Sequence, residues 1–262
     1  LTYTTLASVV KYPVDSLSGF DKGDLSRKKS GFMDSEKEYF EEMVDVLGIP
    51  ARSKGHARHP FVYLVEAADD ICYRIIDLED AYKLKVVSFA EVLGLLRPLL
   101  NGTEMEGYLD RKLDSLQDEE QKISLLRALL INHFTQVCAD IFIQEEKAIL
   151  EGNLSTALMD RIAGPVQDHL RVLNDFSVSR IYNHSSVIEK ELSGHRIING
   201  LLEDFCEALV DMKTEKSKKV LRLVPAQFSG DTYSDLQCIV DYVSQMTDDF
   251  AVDLYKKISG IN

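Results

Sequence analysis

Residues 66 to 77, Glu66-Ala67-Ala68-Asp69-Asp70-Ile71-Cys72-Tyr73-Arg74-Ile75-Ile76-Asp77, decide how this chain is read. Apolar side chains recur there at spacings of three and four, the signature of an amphipathic helix. Asp69, Tyr73 and Asp77 follow one another at intervals of four, and at about 3.6 residues per turn they stack on one face. Periodicity alone leaves two readings open. In one, Glu66, Asp70, Asp77, Glu79 and Asp80 form a solvated stripe opposite Leu64, Ala68, Ile71, Ile75 and Leu78, because charge on a helix ordinarily faces water. In the other, the Asp69 face holds a ligand. A carboxylate such as Asp69 suits a divalent metal, the Tyr73 ring can pack on a sugar, and Asp77 can accept a hydrogen bond from a hydroxyl.

Outward from this helix the same periodicity covers almost the whole chain, so the expected fold is all-α with at most a small hairpin. Residues 1–11 read as a helix stopped by Pro13, and residues 14–31, rich in Ser, Asp, Gly and Lys, as a surface loop. Ser35 with Glu38 has the capping-box pattern, before a helix closed by Gly48. Pro60 suits the first turn of the Asp69 helix, expected to run to about Glu79, and Ser88 with Glu91 opens another. Residues 110–150 read as a long amphipathic stretch of core helices, and Gly164-Pro165 as a further start. Residues 179–183 read as an interruption before a helix over 186–212. The charged run 213–219 reads as a solvated link, and 233–258 as one final helix. Only residues 222–224 and the pair Ile181-Tyr182 look strand-like. A cluster of Gly and Asn at 100–107 marks the expected division into 1–100 and 101–262.

The 262 residues include 45% apolar side chains, enough for a substantial core. A formal charge of −13 and an isoelectric point near 4.9 argue against general attraction to nucleic acid or anionic membrane. Any anionic ligand must be met by particular cations or a metal. Cys72, Cys138, Cys206 and Cys238 form no CxxC pair, so reduced thiols are expected. With no uninterrupted apolar run of about 18 residues and no secretory signal, the chain reads as soluble and cytoplasmic. It begins at Leu1 inside a helical pattern, as a piece cut from a longer protein would.

Cations do gather where phosphate could approach. Lys11-Tyr12-Pro13 ends a helix, and Lys28, Lys29 and Gly31 share a loop. Loop lysines are often merely solvated, and no GxxxxGK[ST] motif is present. The six histidines form no HExxH, and His133, on an apolar helix, reads as a hydrogen-bonded core residue. No GxSxG occurs, which leaves nothing to argue for a serine nucleophile.

Three blocks resemble the deoxyguanosinetriphosphate triphosphohydrolases, or dNTP triphosphohydrolases, of the HD metal-dependent hydrolase superfamily. They are LTYTTLASVVKYP at 1–13, followed by KKSGF at 28–32 and DSEKEYF at 34–40; ARHPFVYLVEAADDICYRIIDLEDA at 57–81; and DYVSQMTDDFAVDLYKKISG at 241–260, supported by IYNHSSVIEKELSGHRIINGLL at 181–202. The resemblance implies hydrolysis of a deoxynucleoside triphosphate to deoxynucleoside and triphosphate with a divalent metal such as Mg or Mn. It implies Asp69 as the final metal ligand, Tyr73 against the deoxyribose, and Asp77 at the 3′-hydroxyl. Lys11, Tyr12 and Lys29 resemble the triphosphate-binding set. Residues 1–100 would close an HD catalytic domain, and 101–262 would form a helical carboxy-terminal region. A homo-oligomer is expected, with single-stranded DNA a further partner of the family. The His and His-Asp ligands that name the superfamily have no counterpart in this sequence. One carboxylate cannot hold a catalytic metal, so this chain alone is expected to be inactive. Gln237 stands where a basic residue precedes the DY of the third block. Other HD chemistry, such as phosphodiester hydrolysis, and a non-catalytic assembly module are the alternatives.

Overall fold

The computed structural model describes residues 1–225 and 228–260. Within them the chain is helical without a β-sheet, as expected; isolated bridges join Asp15 to Phe32 and Ala51 to His56. Packing divides it into two units, Leu1–Tyr182 and Asn183–Asn262. The 100–107 turn lies inside the first.

The first unit contains α1 (Tyr3–Val9), α2 (Lys37–Leu47), α3 (Pro60–Lys83), α4 (Phe89–Leu96), α5 (Glu106–Ser115), α6 (Glu119–Gln144), α7 (Glu146–Leu150) and α8 (Pro165–Phe176). Helix α3 is its axis. Ile71, Ile75 and Leu78 of α3 pack with Leu126, Leu130 and Phe134 of α6, Leu96 of α4 and Leu173 of α8 in one buried cluster. Each such side chain contributes roughly 1.5–3 kcal/mol by leaving water. By length and composition α6 is the one helix among the described residues apolar enough to cross a membrane, but its stripe from Ile123 to Cys138 belongs to this core. A smaller cluster joins Ala7 of α1 to Phe40, Met43 and Val44 of α2.

The second unit contains α9 (Ser185–Val210), α10 (Glu215–Leu221), α11 (Thr232–Ser244) and α12 (Asp248–Ser259). Leu201, Phe205 and Leu209 of α9 bury against Ile239 and Val243 of α11 and Ala251 of α12.

Several local expectations are corrected. Helix α1 stops at Val9 and residues 11–12 bend instead, so the chain has left helical geometry before Tyr12, which Pro13 disfavours in a helix. The Ser35–Glu38 box gives way to a 3-10 turn, Asp34–Glu36, in which the Met33 N–H donates to Glu36 Oε2 at 2.7 Å. Helix α3 runs past Glu79 to Lys83, extended by the buried Leu78 and Ala81. The 110–150 stretch forms several helices, as read, and Asp118 starts α6 by accepting from the Gln121 N–H at 3.0 Å. Residues 213–219 are mostly helix α10, capped by Thr214. The final helix is two, since Thr247 caps α12 with Asp248 and Asp249 in its first turn. Neither strand forms: Ile181 and Tyr182 belong to a π-helical turn, Ser177–Tyr182, and Arg222–Val224 is a turn whose valine is buried. The caps at Gly48, Pro60 and Ser88–Glu91 are as read from the sequence.

Candidate functional site

The first unit brings together segments that lie far apart in sequence. His59 caps α3, its Nδ1 accepting from the Phe61 N–H at 3.1 Å, and Pro60 takes the first helical position. Burial lowers the His59 imidazole pKa below its ordinary value, which favours the neutral form that can accept.

Along α3, Asp69 is exposed and its side chain forms no hydrogen bond or ion pair among the described residues. Tyr73, one turn on, is 53% exposed. Its ring stacks on Tyr182, with centroids 5.6 Å apart and planes 29° apart. The Tyr182 hydroxyl donates to Asp77 Oδ2 at 2.7 Å. Burial raises the Asp77 pKa, partly opposed by that hydrogen bond, and burial also raises the phenol of Tyr182. Asp69, Tyr73 and Asp77 thus follow the predicted succession on α3, with a second aromatic ring added to it.

The lysine segment packs against the same helix. Lys11 Nζ lies 3.0 Å from Glu66 Oε1, and Glu66 Oε2 accepts from Arg58 Nη1 at 2.8 Å. Arg58 Nη2 donates to the Leu25 carbonyl at 2.8 Å, and the guanidinium stands 5.9 Å from the Tyr12 ring centre and 5.6 Å from that of Tyr63. Burial pulls the Lys11 pKa down, but the hydrogen bond and charge of Glu66 carry it above the ordinary lysine value. The Lys29 loop is tied in through its backbone: the Gly31 N–H donates to the Val14 carbonyl at 3.0 Å. Gly31 lies so close that a Cβ there would sit 2.0 Å from the Tyr12 carbonyl oxygen, which explains the glycine. Lys29 itself is exposed.

Glu66 and Glu79, placed in the solvated stripe by one reading, are 7% and 6% exposed, whereas Ala68, assigned to the buried stripe, is exposed. The carboxylates are buried because each is matched by two cations: Lys11 and Arg58 for Glu66, Lys83 and Arg127 for Glu79. Arg58, Glu66 and Tyr182 were not singled out as site residues. For Glu66 a signal existed, since it follows Val62 and Tyr63 by four and three residues, on the buried face. For Tyr182, 105 residues from Asp77, none did. His133 is half-buried with its ring beside Phe134, and no hydrogen bond holds its imidazole among the described residues.

A divalent metal normally takes three or more protein ligands. Among the described residues no group of three His, Cys, Asp or Glu is placed to hold one, so they make no metal site by themselves. Gln237, in the second unit, donates to Asp241 Oδ1 at 3.0 Å.

Residues 161–257 match the phosphohydrolase-associated domain. The chain is 29% identical over 269 residues to a deoxyguanosinetriphosphate triphosphohydrolase-like protein of Pseudomonas aeruginosa, covering 99% of this chain and 60% of that protein. It is 29% identical over 278 residues to a protein of the same name in Synechocystis, covering 100% and 60%. With the deoxyguanosinetriphosphate triphosphohydrolase of Yersinia enterocolitica it shares 25% identity, over 98% of this chain and 60% of that protein. The chain therefore spans about 60% of the length of these relatives. The described residues are thus helical, and residues 161–257 are similar to the phosphohydrolase-associated domain. More narrowly, the chain is similar over nearly its whole length to deoxyguanosinetriphosphate triphosphohydrolase-like proteins, in line with the resemblance read from its sequence.

Proposed function

We propose that this chain is the substrate-cradling part of a metal-dependent enzyme that hydrolyses a deoxynucleoside triphosphate to deoxynucleoside and triphosphate. The observation that carries the reading is the ion pair between Lys11 and Glu66, 3.0 Å long, which sets the lysine segment one turn before Asp69 on α3. A cation for phosphate, a free carboxylate, an aromatic ring and a second carboxylate then follow in the order in which a nucleotide offers phosphate, metal and sugar. Lys11, Tyr12 and Lys29 bind the triphosphate and offset its charge. Tyr73 packs against the deoxyribose, where a 2′-hydroxyl would collide with the ring, and Asp77 accepts from the 3′-hydroxyl. Asp69 contributes one ligand to a divalent metal whose other ligands lie outside the described residues. On that ligand count the chain alone is inactive, and the activity belongs to the whole protein. A cytoplasmic location fits its four free cysteines.

The test is product analysis on the whole protein with dGTP and other deoxynucleoside triphosphates. Free triphosphate is expected, with Asp69→Ala abolishing both turnover and metal binding. Pyrophosphate or a nucleoside monophosphate as product would overturn the reading in favour of phosphodiester chemistry. A metal-free, inactive whole protein would overturn it in favour of an assembly module.

A further inference from the structure

The buried network behind Lys11 is more elaborate than a helix contact requires. Glu66 and Arg58 side chains are 6% and 1% exposed, whereas that of Lys11 is 38% exposed. Arg58 alone would neutralise Glu66; a second cation brought from another segment leaves the trio with net positive charge in a chain of net charge −13. The surplus charge sits on the one member that reaches solvent. An ammonium has three donors. The bond to Glu66 uses one and leaves two for a ligand. Arg58 fixes Glu66 with one Nη and the Leu25 carbonyl with the other, and it faces Tyr12, so one guanidinium braces both segments proposed to meet phosphate. Its planar fork suits this bracing, which a lysine's single point charge would not reproduce.

We infer that Glu66, held by Arg58, is a positioning residue that fixes the Lys11 ammonium for a polyphosphate group. The inference rests on the proposed role of Lys11 in binding triphosphate. A lysine tethered at its tip has already lost the rotamer freedom that ligand binding would otherwise remove. Glu66 never touches the ligand and acts only through Lys11.

Calorimetric titration of inorganic tripolyphosphate into the folded chain tests this. Lys11→Ala and Glu66→Gln are each expected to weaken binding by about tenfold, and the double variant to bind no more weakly than Lys11→Ala alone, since two residues acting as one unit are not additive. Glu66→Asp, which keeps the charge, is expected to recover part of the loss. Wild-type affinity in Glu66→Gln, or losses that add in the double variant, would overturn the positioning role and leave Lys11 as a phosphate ligand. Undiminished binding by Lys11→Ala, or no binding by the wild type, would instead bring down the phosphate reading, and this inference with it. Should Glu66→Gln not fold, the same cycle is run with Glu66→Asp, where additive losses have the same overturning force.

Discussion

Helix α3 carries two buried carboxylates built to one plan. Glu66 bridges Lys11 and Arg58; Glu79 bridges Lys83, four residues further along its own helix, and Arg127 of α6. The partners of Glu66 come from two segments outside α3, and one of them is sealed at 1% side-chain exposure. Those of Glu79 stay near the surface, at 49% and 35%. The same local chemistry thus serves two ends: near Glu79 it fastens one core helix to another, and near Glu66 it sets the geometry of segments that carry candidate ligands.

The largest expected effect tests that contrast directly. Arg58→Ala strands a buried carboxylate with only a half-exposed lysine for company, and a loss of about 3–5 kcal/mol in denaturant-unfolding free energy is expected. Arg127→Ala leaves the buried Glu79 with Lys83, and because the arginine removed is itself 35% exposed its loss opens the site to water, so about 1–2 kcal/mol is expected. Equal losses would erase the distinction. Tyr182→Phe deletes the hydrogen bond to Asp77 and is expected to cost about 1 kcal/mol. Since that bond holds the Asp77 pKa down against burial, an NMR carboxyl titration of the variant should show it rising further.

The smallest effect is one of slope with pH. Burial pushes the Glu79 carboxyl up, but hydrogen bonds and charge from Lys83 and Arg127 bring it below the ordinary glutamate value of 4.5. Its contribution to stability is therefore complete above that value and lost as pH falls through the folded one. Asp77 has the opposite sign: raised above 3.8, its contribution is present below that value and lost as pH rises through the folded one. Glu79→Gln should flatten the acid limb of stability against pH, and Asp77→Asn should remove a decline on the way to neutrality.

Much of the helical content was legible, because helix starts advertise themselves locally: Ser88 with Glu91, Pro60 at a first turn and Gly48 with φ of 63° at an end all follow from nearest-neighbour chemistry. The break before Asp248 was equally local, but Thr247 sits within apolar rhythm that continues on both sides and masks it. In the candidate site, the succession of Asp69, Tyr73 and Asp77 followed from helical spacing. Burial of Glu66 did not, because a carboxylate's exposure is decided by partners, and Arg58 and Lys11 reach it only after the chain has folded. Tyr182 was illegible for the same reason, and its β-like neighbourhood suggested a strand instead of a wide helical turn.

That wide turn works as a phase shifter. Each residue of an α-helix rotates its side chain by about 100° around the axis, and a π turn admits one residue more than the α-helix does. Across Ser177–Tyr182 the chain leaves the register of α8, in which Leu170 and Leu173 face the core, yet still turns Ile181 inward and lays Tyr182 over Tyr73 with its hydroxyl on Asp77. Shortening this stretch by a single residue would swing the phenol off target.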